Sequence, residues 1–122
     1  MKAVPKRILV VDDNRDAAET LAVVLRFSGH EIRVAHDGKR AVELASDFCP
    51  DVVILDINMP VMDGYEAARR LRKAAGAELL LVAVTGVPAR ESKDRALGSG
   101  FDVHLSKPFD VLELEQLLEA RQ

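Results

Sequence analysis

The run Ile8-Leu9-Val10-Val11-Asp12-Asp13-Asn14 passes from four aliphatic residues straight into three polar ones. A strand that is apolar at successive positions must be covered on both faces, which is the pattern of a parallel sheet. Val52-Val53-Ile54-Leu55-Asp56 has the same design, and Leu79 to Val84 is a six-residue apolar run that ends at Thr85. Glu31 to Ala35 instead alternates, with Ile32 and Val34 on one side, and Val103 to Leu105 is a weaker segment of the same kind. These two read as strands with a partly wet face, as expected at the edges of a sheet.

Between the strands the apolar period lengthens to that of helices. Ala17, Leu21, Val24, Leu25 and Ser28 form one stripe, closed by Gly29 as a left-handed cap. Ala41, Val42, Leu44, Ala45 and Phe48 mark a second helix, stopped by Pro50. Asp63 with Glu66 three residues later is an Asp form of the capping box and opens a third helix through Ala67, Ala68 and Leu71. A fourth helix over Ala89 to Ser99 has few apolar residues beyond Ala96 and Leu97, so packing holds it lightly and it is expected to be the most mobile. Asp110 caps the last helix, which carries Val111, Leu114, Leu117 and Leu118. Five strands alternating with five helices predict an α/β fold, a doubly wound five-stranded parallel sheet. Right-handed crossovers leave few strand orders, and the flavodoxin-like order 2-1-3-4-5 puts the two alternating strands at the edges.

A chain of 122 residues, 48% hydrophobic and 30% charged, has the size and composition of a single domain over residues 1–122. Folding should bury roughly two thirds of its unfolded surface, enough for a core without staples. The single Cys49 excludes an internal disulfide and a cysteine-based zinc site; it is read as an inert packing residue. His30, His36 and His104 lack metal-ligand spacing. No apolar run approaches the about 20 residues that span a bilayer and no secretion signal is evident, so a cytoplasmic location without membrane contact is expected. The net charge of −3 argues against direct nucleic-acid binding.

In open sheets of this kind ligands bind beyond the carboxyl ends of the strands, near the point where strand order reverses. Strand 1 leads into Asp12, Asp13 and Asn14, strand 3 into Asp56, Ile57 and Asn58, strand 4 into Thr85 and Gly86, and strand 5 into Ser106, Lys107 and Pro108. Each group alone has an ordinary role: helix cap, Asx-turn, strand-end hydroxyl, solvated lysine. Together they do not, because two carboxylates about 5 Å apart repel by about 3 kcal/mol at an effective dielectric of about 20. An all-oxygen cluster suits a hard divalent cation, and Mg²⁺ typically takes one or two carboxylates, keeps waters and shares phosphoryl oxygens. The cation would keep Asp56 ionised, hence nucleophilic. Attack on phosphorus then needs its three equatorial oxygens held by the metal, by Lys107, and by the Thr85 hydroxyl with nearby backbone N–H groups. That inventory is complete for phosphoryl transfer onto Asp56.

The chain resembles the receiver domain of two-component response regulators over essentially its whole length. The matching motifs are the run from Ile8 to Asn14, Asp56-Ile57-Asn58-Met59-Pro60-Val61-Met62-Asp63-Gly64, Val84-Thr85-Gly86 and Lys107-Pro108-Phe109. The resemblance implies that Asp56 accepts a phosphoryl group from a phosphohistidine of a sensor histidine kinase or histidine phosphotransfer protein, docked over the acidic crevice and the first helix. It implies Mg²⁺ ligation by Asp13, Asp56 and the backbone carbonyl of Asn58, with Asp12 acting through metal-bound water. It also implies that Lys107 bonds the phosphoryl group, that the Lys107-Pro108 peptide is cis, and that Thr85 swings toward the phosphoryl oxygen. In the family that swing is coupled to an aromatic residue three before the lysine, and to the surface of the fourth helix, fifth strand and last helix. Here that position is His104, either a switch residue or a half-exposed histidine on an edge strand. Asn58 and Val87 stand where the family controls hydrolytic water. Val87 cannot hydrogen-bond water, so slow autohydrolysis is expected: a self-phosphorylating phosphoacceptor rather than a turnover enzyme.

Three alternatives share parts of this pattern. An aspartate-nucleophile phosphatase needs a second acid two residues after the nucleophile, where this chain has Asn58. A flavin module needs a phosphate loop after strand 1, where Asp12 and Asp13 would repel the phosphate. A degenerate receiver would bind partners without phosphorylation. Arg69, Arg70, Arg72 and Lys73 read as a solvated face, and Met59, Met62 and Tyr65 as packing. A monomer or phosphorylation-dependent dimer is expected. No output segment follows the last helix within the sequence, as for a stand-alone receiver or part of a larger regulator or hybrid kinase.

Overall fold

Every apolar run takes its place in one parallel sheet of the computed structural model, which describes residues 5–57, 64–75, 78–85, 100–106 and 109–120. The strands are β1 (Arg7–Val11), β2 (Glu31–Ala35), β3 (Val52–Asp56), β4 (Leu80–Thr85) and β5 (Val103–Ser106), in the order β2-β1-β3-β4-β5. Four helices lie among the described residues: α1 (Arg15–Phe27), α2 (Gly38–Phe48), α3 (Gly64–Ala75) and α4 (Val111–Ala120). The helix expected over Ala89 to Ser99 lies outside them. So do Asn58 to Asp63, Gly86, Val87, Lys107, Pro108 and the side chain of Tyr65.

The unbroken apolar runs follow from the two layers. Leu9, Val11, Val53, Leu55, Leu81 and Ala83 face α2 and α3, meeting Ala41, Ala45, Ala67, Ala68 and Leu71. Their chain neighbours Ile8, Val10, Val52, Ile54, Val82 and Val84 face α1 and α4, meeting Ala18, Ala22, Leu25, Leu114 and Leu118. Edge strand β2 shows the expected alternation, with Ile32 buried between exposed Glu31 and Arg33.

Local chemistry sets the helix ends. Asn14 caps α1, its side chain accepting the Ala17 N–H at 3.1 Å. At the other end Gly29 adopts φ 99°, its N–H donating to the Arg26 carbonyl at 2.9 Å and that of His30 to Leu25 at 3.3 Å. That pair is a Schellman motif, which needs the left-handed residue. The Asp110 side chain accepts the Leu112 N–H at 2.9 Å, as expected of the cap of α4.

Two expectations are corrected. Cys49 is exposed rather than packed: α2 ends at Phe48, and Cys49 takes a left-handed conformation (φ 52°) beyond it. The buried residue is Phe48, with the guanidinium groups of Arg7 and Arg33 at 4.7 and 5.3 Å from its ring centroid. Arg72 does not belong to a solvated face. It donates to the Leu79 carbonyl, and at 2.7 Å to both the Gly100 carbonyl and the Asp102 carboxylate. Asp102 also accepts the Leu81 N–H at 2.8 Å, so one guanidinium ties α3 to the leading ends of β4 and β5. Arg72 follows the buried Leu71 at the margin of the packed helix face, and its long stem carries the charge around to these acceptors. Arg72→Met should lower stability by about 1–2 kcal/mol, because two carbonyls lose a donor and the Asp102 carboxylate keeps only the Leu81 N–H. Urea unfolding measures this, and Arg72→Lys should recover only part of the loss, lacking the fork geometry.

Candidate functional site

Parallel register brings the polar strand ends together. Val11 pairs with Leu55, so Asp12 and Asp56, each one residue further on, stand side by side. Asp56 pairs with Val84, which puts Thr85 one residue beyond it on the next strand. The Ile57 N–H donates to the Val84 carbonyl at 3.0 Å, so the ladder continues past Asp56 and holds its backbone. One carboxylate oxygen each from Asp12, Asp13 and Asp56 lies within 4.8 Å of the others. Asp12 is 7% exposed, Asp56 9% and Thr85 2%, whereas Asp13 is open to solvent.

The capping role considered for Asp12 to Asn14 falls to Asn14. Asp12 is held through its own loop: its side chain accepts the Asn14 N–H at 2.9 Å, and its N–H donates to the Ala35 carbonyl at 3.1 Å. The acids therefore meet by construction. The buried pair Asp12 and Asp56 repels by about 3 kcal/mol at an effective dielectric of about 20, and solvent screens the exposed Asp13 to a smaller share, a load that a bound cation would reverse. Three hard carboxylates with no sulfur or imidazole among them suit Mg²⁺ or Ca²⁺ better than zinc or copper.

Asp12, Asp13, Asp56 and Thr85 thus share one rim, while Asn58 and Lys107 lie outside the described residues. His104 pairs with Ala83 on β4, two residues before Thr85, and is half-buried on β5. A cleft of about 830 Å³ extends from Asp12 and Asp56 between α1 and the start of α4, with Ala17, Leu21, Val24, Phe109 and Val111 among its walls.

His36, set aside from the sequence for want of ligand spacing, reaches this rim: its Nδ1 lies 3.1 Å from the backbone oxygen of Asp12. The one available signal was its place directly after strand 2, level with the end of strand 1. His30 serves the opposite end of the sheet, where Nδ1 accepts the Lys6 N–H at 3.0 Å and Nε2 lies 3.4 Å from Glu115 of α4.

Comparison with known proteins gives concordant results. Residues 8–119 match the response regulator receiver domain family. The chain is 40% identical over 110 residues to the response regulator MprA of Mycolicibacterium vanbaalenii, an alignment covering 90% of this chain and 47% of that protein. It thus spans about half the length of the curated relatives it matches. Among solved structures, the receiver domain of the sensor histidine kinase PA1611 from Pseudomonas aeruginosa superposes with a TM-score of 0.83 at 29% identity, covering 96% of this chain and 97% of that one. That structure has a magnesium ion coordinated in its active-site cleft. The Saccharomyces cerevisiae Ssk1 receiver domain, solved with the histidine phosphotransfer protein Ypd1, gives 0.85 at 26% identity, covering 93% and 86%. No helix among the described residues is long and apolar enough to cross a membrane.

Proposed function

The chain belongs to the response regulator receiver domain family, and from that premise we propose that Asp56 is the residue through which this two-component receiver is charged. The observation that carries the reading is the convergence of Asp12, Asp13 and Asp56 within 4.8 Å at the carboxyl ends of β1 and β3. It favours a phosphoacceptor over a degenerate receiver, which has no use for mutually repelling acids.

In the proposed reaction a carboxylate oxygen of Asp56 forms a bond to phosphorus while the P–N bond of a partner phosphohistidine breaks. The leaving imidazole nitrogen keeps the electron pair and takes up a proton. Asp13, Asp56 and the carbonyl of Asn58 would hold Mg²⁺, with Asp12 acting through water. Bound there, Mg²⁺ would neutralise the acids and draw charge from a phosphoryl oxygen. The Thr85 hydroxyl and the Lys107 ammonium would hold the other oxygens. Thr85 would then pass the change to His104 and to the surface of β5, α4 and the helix expected from the sequence over residues 89–99. The partner is a sensor histidine kinase or histidine phosphotransfer protein, docking over the crevice and the α1 wall of the cleft. Residues 1–122 act as one cytoplasmic domain, with no direct nucleic-acid contact, as a monomer or a phosphorylation-dependent dimer.

Incubation with Mg²⁺ and a small acyl phosphate tests the reading by intact mass. One added phosphoryl group is expected, lost on chelation of Mg²⁺ beforehand; an unmodified wild type with Mg²⁺ present would overturn it. With apolar Val87 two residues after Thr85 in the sequence, the added group should persist for minutes or longer, and loss within seconds would reject that lifetime.

A further inference from the structure

We propose that His36 is a positioning residue for the acidic site, acting on Asp12 and Asp13 through the peptide that joins them. The inference rests on the reading of that site as a cation site. A carbonyl oxygen can only accept, so the 3.1 Å contact makes His36 Nδ1 the N–H donor and Asp12 O the acceptor. In the neutral ring this is the Nδ1–H tautomer. The accepting oxygen belongs to the Asp12–Asp13 peptide, so the contact sets the plane from which Asp13 leaves the strand.

Asp12 is also held from its other side, by its N–H to the Ala35 carbonyl at 3.1 Å. Consecutive residues at the end of β2 therefore grip both peptides flanking one carboxylate. The grip is itself anchored: Ala35 closes the β1–β2 pairing opposite Val11, and Asp37 caps α2 by accepting the Arg40 N–H at 2.7 Å. Loss of the His36 donor frees the Asp12–Asp13 peptide to rotate, and the Asp13 carboxylate then moves relative to Asp12 and Asp56. Groups that orient metal ligands from behind commonly change affinity by about ten- to a hundredfold, and at this open rim the lower end applies.

Reach separates positioning from mere presence of a polar side chain. The amide nitrogen of Asn stands as many bonds from the backbone as Nδ1, whereas that of Gln stands one bond further out. Calorimetric titration of the full chain with Mg²⁺ should give His36→Asn an affinity within about twofold of wild type and weaken His36→Gln by about three- to tenfold. The two variants should unfold at the same urea concentration in chelator. Gln binding as tightly as wild type, or Asn as weakly as Gln, overturns the proposal. Imidazole nitrogen NMR of the metal-free wild type gives a second readout, in which the Nδ1–H tautomer is expected and the Nε2–H tautomer overturns the proposal. A wild type that does not bind Mg²⁺ would sink the cation site itself. Normal wild-type binding with an unaffected Gln variant would sink only the role of His36.

Discussion

Asp56→Asn is expected to reduce phosphoryl incorporation from a small acyl phosphate by at least about a thousandfold, because the charged oxygen that attacks phosphorus becomes a neutral amide oxygen. The exchange keeps the shape of the side chain, and β3 is fixed by its pairing with β1 and β4, so the fold should survive. Mass spectrometry of the intact protein decides the matter. A variant that still gains one phosphoryl group would place the acceptor elsewhere, and the nearby carboxylates of Asp12 and Asp13 would be next to test. Circular dichroism on the same samples separates lost chemistry from lost structure.

Asp13→Asn should act with opposite signs in the two metal states. Without divalent cation it relieves repulsion from Asp12 and Asp56, and an exposed group in this position should return about 1 kcal/mol of stability. With Mg²⁺ in excess the order inverts. A ligand at a hundred times its Kd stabilises the protein that binds it by about 2.7 kcal/mol, and the variant, its Mg²⁺ affinity at least about tenfold weaker, gains about 1.4 kcal/mol or less, a deficit larger than its advantage in chelator. Urea unfolding of both proteins, in chelator and in excess Mg²⁺, gives all four values. A wild type that Mg²⁺ fails to stabilise would contradict the proposed site, and a variant less stable than wild type in chelator would show that the acids are not in net repulsion.

Much of the architecture was legible because the signals were local or periodic. Ile8 to Val11 and Val52 to Leu55 announce burial on both faces, and alternation at Glu31 to Ala35 announces an edge. Gly29 and Asp110 do at their helix ends what their chemistry dictates. Asp12, Asp13 and Asp56 could be placed together because strand order and register alone determine which strand ends meet.

The misses share a different character. Arg72 reads as one of a run of charged neighbours, yet its acceptors are Leu79, Gly100 and Asp102, brought to it by folding. Spacing to other histidines gives His36 no role, while its partner is a backbone oxygen 24 residues away. Cys49 reads as a packing residue, yet the helix stops one residue earlier and the left-handed turn falls on this residue rather than on a glycine, which leaves it exposed. None of these leaves a mark in composition or period.

The Arg72 clamp and the acid triad occupy opposite ends of β4, from Leu80 to Thr85. At about 3.3 Å per residue they lie roughly 17 Å apart, about twice the Debye length in physiological salt. Changes at the two ends should therefore add rather than interfere. Substitutions at the clamp should therefore change resistance to unfolding while leaving divalent-cation affinity at the acids as it was.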